Sequence, residues 1–257
     1  YGYEIVAVAR RILTELGRRR RSLIFWTIFP VAVLLINGVI YAERAKENLT
    51  VQQAFERAAA ASLVGAALFF SCLGGAVATV VAEREHHTLK RLFLSPLSGV
   101  SYFLGIGLAH LAIALWQTLL IGAVAAAIGA RFHGSPLLGT GIILLSILAY
   151  VGVGFLLGTQ FARRTEDVNS LVATFGVPLL ILGGAFVPTM IFPPVLLRLA
   201  QYNPIYHMNA ALTQVVAEGK GLAEIAPHFW FLVIFAIAMI LAGWLSYRRM
   251  LQVERRL

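Results

Sequence analysis

Residues 58–82 read AAAASLVGAALFFSCLGGAVATVVA, a run without a single Asp, Glu, Lys or Arg. An α-helix rises roughly 1.5 Å per residue, so about 20 residues cross a hydrocarbon core of about 30 Å. This run is long enough to do so. Five further stretches qualify, at 22–41, 101–130, 137–162, 168–187 and 228–247, and their interiors are equally free of charge. A membrane β-barrel would instead show short segments of alternating hydrophobicity. The fold class expected is all-α: a polytopic membrane protein of six transmembrane helices, formed by residues 1–257 as a single domain.

The composition agrees with that reading. Of the 257 residues, 59% are hydrophobic and only 13% are charged, and the mean hydropathy is +0.81. Soluble domains carry about a quarter charged residues. The net charge of +9 could point to nucleic acid. The basic residues, however, sit in short clusters between apolar runs: Arg18 to Arg21, Lys90 with Arg91, Arg163 with Arg164, Arg248 with Arg249, and Arg255 with Arg256. Such clusters anchor helix ends at anionic lipid surfaces. With the N-terminus inside, the inner segments hold 15 of the 21 Lys and Arg residues. Both termini are therefore expected in the cytoplasm, in the cell inner (plasma) membrane. The first apolar run ends without a small-residue cleavage site, so no cleavable signal peptide is expected. The lone cysteine, Cys72, permits neither an intramolecular disulfide nor a thiolate metal cluster.

Residues 1–21 form a separate element. Ile5, Val8, Ala9, Ile12, Leu13 and Leu16 recur at helical spacing, with Glu4, Arg10, Arg11, Glu15 and Arg18 on the other side. This predicts an amphipathic helix lying along the interface. Residues 184–204 read GAFVPTMIFPPVLLRLAQYNP, an apolar stretch interrupted by Pro188, Pro193, Pro194 and Pro204. Proline breaks a helix, and a broken apolar segment cannot span alone. Residues 188–204 are accordingly expected to form a re-entrant piece before the last span.

There is no GxxxxGK[ST] loop for nucleotide and no HExxH. His86 and His87 are adjacent, so they point about 100° apart on a helix and make a poor chelate; no metal is expected. The spans carry no carboxylate of the kind that ion-coupled transporters use. His110 and His228 are the titratable groups at depth, and helix packing is the commoner use of such a histidine. Energy for uphill transport would have to come from a partner.

The loop 83–98 reads EREHHTLKRLFLSPLS. Leu89, Leu92 and Phe93 form an apolar stripe at i, i+3, i+4, with Lys90 and Arg91 on the polar side. Ser95-Pro96 ends the helix. A short amphipathic helix between two spans can sit in a cleft of a cytoplasmic protein; an ordinary interfacial turn gives the same periodicity.

The loop resembles the coupling-helix signature of type-2 ABC exporter permeases, in which E-x-E leads into G-T-L-x-x-L and then Ser/Thr-Pro. Glu83, Glu85, Thr88, Leu89, Leu92, Ser95 and Pro96 match; His87 stands where the family has glycine. Arg21-Ser22-Leu23 through Phe29-Pro30 is similar to the family's lead into the first span. Gly184 to Pro188 through Tyr202-Asn203-Pro204-Ile205 is similar to its broken helix.

The resemblance implies a drug-exporter-like permease that pairs with a second copy of itself and engages a separate ATP-binding subunit. That subunit would use ATP and Mg; this chain would bind no cofactor and catalyse nothing. The residues implied in docking are Glu83, Glu85, Thr88, Leu89, Leu92, Phe93, Ser95 and Pro96. Glu83 and Glu85 either pair with basic groups of the partner or cap the coupling helix. The translocation path, carried by the second and fifth spans in relatives, would include Phe69, Phe70, Thr174, Phe175 and Phe186, each of which also suits simple packing. Gly154 and Gly158 permit close helix contact. The cargo expected is hydrophobic or amphipathic, with a glycolipid or polysaccharide as the alternative. A passive channel and a membrane-embedded enzyme are the competing classes.

Overall fold

The computed structural model describes residues 1–44, 49–85 and 97–254. Among these the chain is all-α, with no strand. Helix α1 (Gly2–Arg18) is followed by α2 (Arg20–Arg44), α3 (Val51–Glu85), α4 (Gly99–Ala127), α5 (Pro136–Gln160) and α6 (Thr165–Leu182). A 3-10 turn (Thr189–Ile191) and two shorter helices, α7 (Pro194–Ala200) and α8 (Pro204–Val216), lead to α9 (Leu222–Glu254). Helices α2, α3, α4, α5, α6 and α9 are long and apolar enough to cross a membrane. The protein is a polytopic membrane protein of six candidate spans, as its hydropathy pattern predicts. Residues 204–216, left unassigned in that pattern, form a helix of their own.

Helix α3 is the axis of the bundle. Of its most apolar window 78% is buried within the chain, against 22% for α2 and 17% for α6. The reason lies in its small side chains: Ala58 to Ala61, Gly65, Ala66 and Ala67 let neighbours approach from every side. Across from it on α5, a methyl added at Gly154 would lie 2.7 Å from the Ala76 Cβ and 2.9 Å from the Leu73 carbonyl. Only glycine fits there. Gly158 repeats the contact one turn on, against Val80. Small residues at such spacing are what helix pairs in a bilayer use, where apolar burial alone gives no preference for a partner over lipid.

Helix α3 widens into a π-helical stretch over Ser62–Gly74, and prolines inside helices mark further irregular points. Pro30 has no N–H, so the Trp26 carbonyl four residues earlier loses its donor. Gln117 of α4 supplies one: its Nε2 donates to Trp26 O at 3.1 Å, while its Oε1 accepts from the Ser71 hydroxyl at 2.5 Å. The carbonyl of Pro30 itself accepts from Ser62 of α3 at 2.5 Å. In α6, Pro178 likewise frees the Thr174 carbonyl, and the chain widens into a π turn over Val172–Gly176 just before it.

Candidate functional site

The last turn of α3 carries three consecutive charged residues, and each reaches a different element. The Glu83 carboxylate is buried and pairs with Arg11 of α1. Arg84 extends its Nη1 to the carbonyls of Gly158 at 3.2 Å and Ala162 at 3.3 Å, at the C-terminus of α5. Those carbonyls lie where a helix runs out of its own donors, and a cation there also suits the negative end of the helix dipole. Glu85 accepts from the Thr165 hydroxyl at 2.8 Å, at the first residue of α6. One turn of helix therefore ties together α1, α5 and α6.

Helix α1 packs along α4 through Val8, Ala9 and Ile12, all buried. Burial by itself would lower the Arg11 pKa, but the charge and hydrogen bond of Glu83 together with those of Tyr102 outweigh it and raise the pKa. Near its start, the Glu4 carboxylate accepts from the Ser98 backbone N–H at 3.5 Å, and a hydrogen bond from Ser101 is the main cause of its lowered pKa. Arg11–Glu83 lies just before residues 86–96 and Glu4–Ser98 just after them. Helix α1 thus bonds to residues on both sides of that loop.

Of the docking residues expected from sequence, Glu83 and Glu85 belong to the final turn of α3 and both have intramolecular partners. Thr88, Leu89, Leu92, Phe93, Ser95 and Pro96 lie outside the described residues. Of the path residues, Phe69, Phe70 and Phe186 are brought together. Phe70 meets Phe29 edge-on at 5.3 Å and Phe69 at 5.2 Å, and Phe186 meets Phe29 at 5.9 Å. Phe25 stacks on Phe29 at 4.9 Å and Tyr150 closes on Phe69 at 5.8 Å. Thr174 and Phe175 are not part of this cluster; both sit on the exposed side of α6. Phe25 and Phe29 join the path residues in this cluster; they stand at i, i+4, the spacing that puts two rings on one helix face.

The break after α6 is held by amides. Gly184, at φ +78°, adopts the left-handed conformation that ends a helix in a Schellman turn, with Ala185 N donating to Leu180 O at 3.0 Å and Gly184 N to Ile181 O at 3.0 Å. A methyl here would also meet the Thr189 Cγ2 at 2.6 Å. Two carbonyls left open by the turn are taken up by asparagines, and a third asparagine adds a second bond to the Leu179 carbonyl, which already accepts from Gly183 N at 2.8 Å. Asn37 of α2 donates to Ala185 O at 2.8 Å, Asn209 of α8 to Gly184 O at 3.1 Å, and Asn203 to Leu179 O at 2.7 Å. Irregular backbone at membrane depth is tolerated only where it is buried in protein and its polar groups are satisfied. Asn203 was visible in the Asn-Pro pair; Asn37 and Asn209 carry no local signal, because their partners are more than twenty residues away. His110 is fully buried against Gly75, as expected of a packing histidine.

Six candidate spans, an N-terminal amphipathic helix bonded on both sides of residues 86–96 and a broken helix before the last span together define a polytopic helical membrane protein. Residues 39–245 match the family described as ABC-2 family transporter protein. The chain belongs to that family. It is 27% identical over 172 residues to proteins named "Probable multidrug ABC transporter permease YbhR" from Escherichia coli strain K12 and from Escherichia coli O157:H7. That match covers 66% of this chain and 46% of theirs, so the chain aligns with about half the length of these relatives. It is also 25% identical over 216 residues to "Putative transport permease ycf38" of Porphyra purpurea, covering 80% of this chain and 72% of that one. The protein is a multi-pass membrane protein of the ABC-2 transporter family.

Proposed function

We propose that this chain is the permease subunit of an ATP-driven exporter moving a hydrophobic or amphipathic substrate out of the cytoplasm or inner leaflet. ATP and Mg are used by a separate subunit, which docks on residues 83–98 through the stripe Leu89, Leu92 and Phe93. Two copies of the permease pair, and the sparsely buried faces of α2 and α6 are the surfaces that suit a second copy. Both termini face the cytoplasm, in agreement with the excess of Lys and Arg on those segments.

The observation that carries this reading is the hold of α1 on both sides of the loop 86–96, through Arg11–Glu83 and Glu4–Ser98. A loop fixed at both ends can pass displacement into the bundle, where Arg84 and Glu85 hand it to α5 and α6. The multidrug designation of two relatives, and an aromatic cluster free of charge on α2, α3 and α5, support an apolar cargo over a charged one.

The test is to purify the chain from its native membrane in mild detergent, with and without Leu89→Asp and Leu92→Asp together. A stoichiometric P-loop ATPase should accompany the unmodified chain and be lost from the double variant. If the unmodified chain arrives without such a subunit in several detergents, the exporter reading fails.

A further inference from the structure

We propose that His207 and His228 form a proton-operated latch joining α8 to α9 at the end of the bundle away from α1. Their Nδ1 atoms lie 2.9 Å apart, and the His207 Nε2 lies 2.8 Å from the Gln201 carbonyl oxygen. A carbonyl only accepts, so His207 Nε2 carries a proton and, in the neutral ring, Nδ1 carries the lone pair. His228 Nδ1 must then be the donor. The pair is held by one proton between two nitrogens, with both tautomers set by a single backbone carbonyl.

The surroundings make that arrangement stiff. The His207 ring stacks on Phe231 of α9 at 3.9 Å, with planes 14° apart, and Tyr206 meets both imidazoles edge-on at 5.5 and 5.8 Å. A metal ion between the two rings fits less well. Tetrahedral zinc, with bonds of about 2.0–2.1 Å, would hold two ligand nitrogens about 3.3 Å apart. The observed separation is shorter, and the ring centroids are 5.0 Å apart, as expected of rings meeting end to end across a hydrogen bond.

Protonation acts in two steps. A first proton enters at His228 Nε2 and leaves the Nδ1–H···Nδ1 bond in place, now charge-assisted. A second must go to His207 Nδ1. It sets two N–H groups and two positive charges face to face, and the bond cannot survive. Burial pushes the His207 pKa below its ordinary 6.5, with the Gln201 hydrogen bond pulling the other way. The latch is therefore closed at neutral pH and opens as the medium acidifies below that range. Other charges around the pair are few. Lys220, in the turn between α8 and α9, adds positive potential and is itself bonded to Glu218 at 2.8 Å. Glu224, one turn before His228 on α9, caps the Gly221 N–H at 2.8 Å, and on α7 the nearest charge in sequence is the exposed Arg198. No carboxylate in hydrogen-bonding contact with either imidazole is present among the described residues to neutralise the second charge.

The latch matters because α8 follows directly on the broken segment. Asn203 and Asn209, which hold the carbonyls of that segment, stand on either side of His207. Release of His207 loosens the turn that carries both.

The test is an NMR titration of histidine-labelled permease, full length and in lipid nanodiscs, read together with hydrogen exchange of residues 204–210 corrected for intrinsic rates. The expected result is two coupled steps more than about one pH unit apart. Protection of the first turn of α8 should fall about fivefold across the second step, the loss of one hydrogen bond. His228→Gln removes the opposing charge, so it should raise the His207 midpoint and abolish the acid-dependent loss of protection. Two independent titrations at ordinary midpoints in the unmodified chain would overturn the proposal. So would a His228→Gln protein whose α8 still loosens on acidification.

Discussion

The two ends of this bundle face the same problem and answer it with different chemistry. Each has backbone carbonyls that a helix cannot satisfy. At the α1 end, a guanidinium takes up the carbonyls of Gly158 and Ala162, and an ion pair joins α1 to α3. At the break after α6, the neutral amides of Asn37 and Asn209 do the equivalent work, and Asn203 adds a second bond to the Leu179 carbonyl. Water explains the difference. Arg11, Glu15 and Arg19 remain partly or half exposed, and the one buried charge there, Glu83, is paired with the half-exposed Arg11. Asn37 and Asn203 are almost wholly buried, and a charge at such depth would cost several kcal/mol. The α1 end therefore presents charge toward water, while the break after α6 is closed around neutral amides.

The largest expected effect comes from stripping the amides. Asn37→Leu combined with Asn209→Leu leaves the carbonyls of Ala185 and Gly184 without those donors. Each orphaned group should cost about 1–3 kcal/mol, read as lower thermal stability in detergent. If the double variant unfolds as the parent does, the break is not held by these side chains. Gly184→Ala comes next: its positive φ and the contact with Thr189 should cost about 1–2 kcal/mol. Arg84→Met should cost less, about 1 kcal/mol, because water can reach the α1 end and re-solvate part of what is lost. A loss from Arg84→Met larger than that from the asparagine pair would reverse the comparison.

The smallest effect is a matter of pH. Glu218 is bonded to Arg57 at 2.9 Å and to Lys220 at 2.8 Å. Burial would raise its pKa, but Lys220 and Arg57 together hold it below the ordinary 4.5. A carboxylate depressed on folding stabilises above its unfolded pKa, and that stability is lost as the pH falls through the folded value. Unfolding temperature should therefore decline below about pH 4.5, and the decline should shrink in Glu218→Gln.

How much of this was legible depends on the range of the interaction. The six spans could be read because hydropathy is a property of contiguous residues. The break could be read because Pro188, Pro193 and Pro194 are local signals. Helix α8 escaped because its thirteen residues are too short to span and carry a mixed pattern. Glu83 and Glu85 were recognisable as the E-x-E before the loop, yet their partners Arg11 and Thr165 lie about eighty residues away or nearly so, and nothing in the sequence pairs them. The same holds for Gln117, whose role follows from a proline on another helix, and for His207, which reads as one scattered histidine until the fold sets it against His228.

The most direct test of the account is the ratio of substrate transported to ATP hydrolysed, measured in proteoliposomes holding the permease and its ATPase partner. Glu4→Ala with Arg11→Ala removes the acceptor for Ser98 N–H and the partner of Glu83, freeing α1 from both sides of the loop 86–96 while leaving the loop's own residues unchanged. The account predicts that the ATPase stays bound and keeps hydrolysing, while transport per ATP falls on the order of tenfold, the size of a typical coupling free energy. An unchanged ratio would contradict it, because the loop would then be passing its motion into the bundle without the helix that grips it.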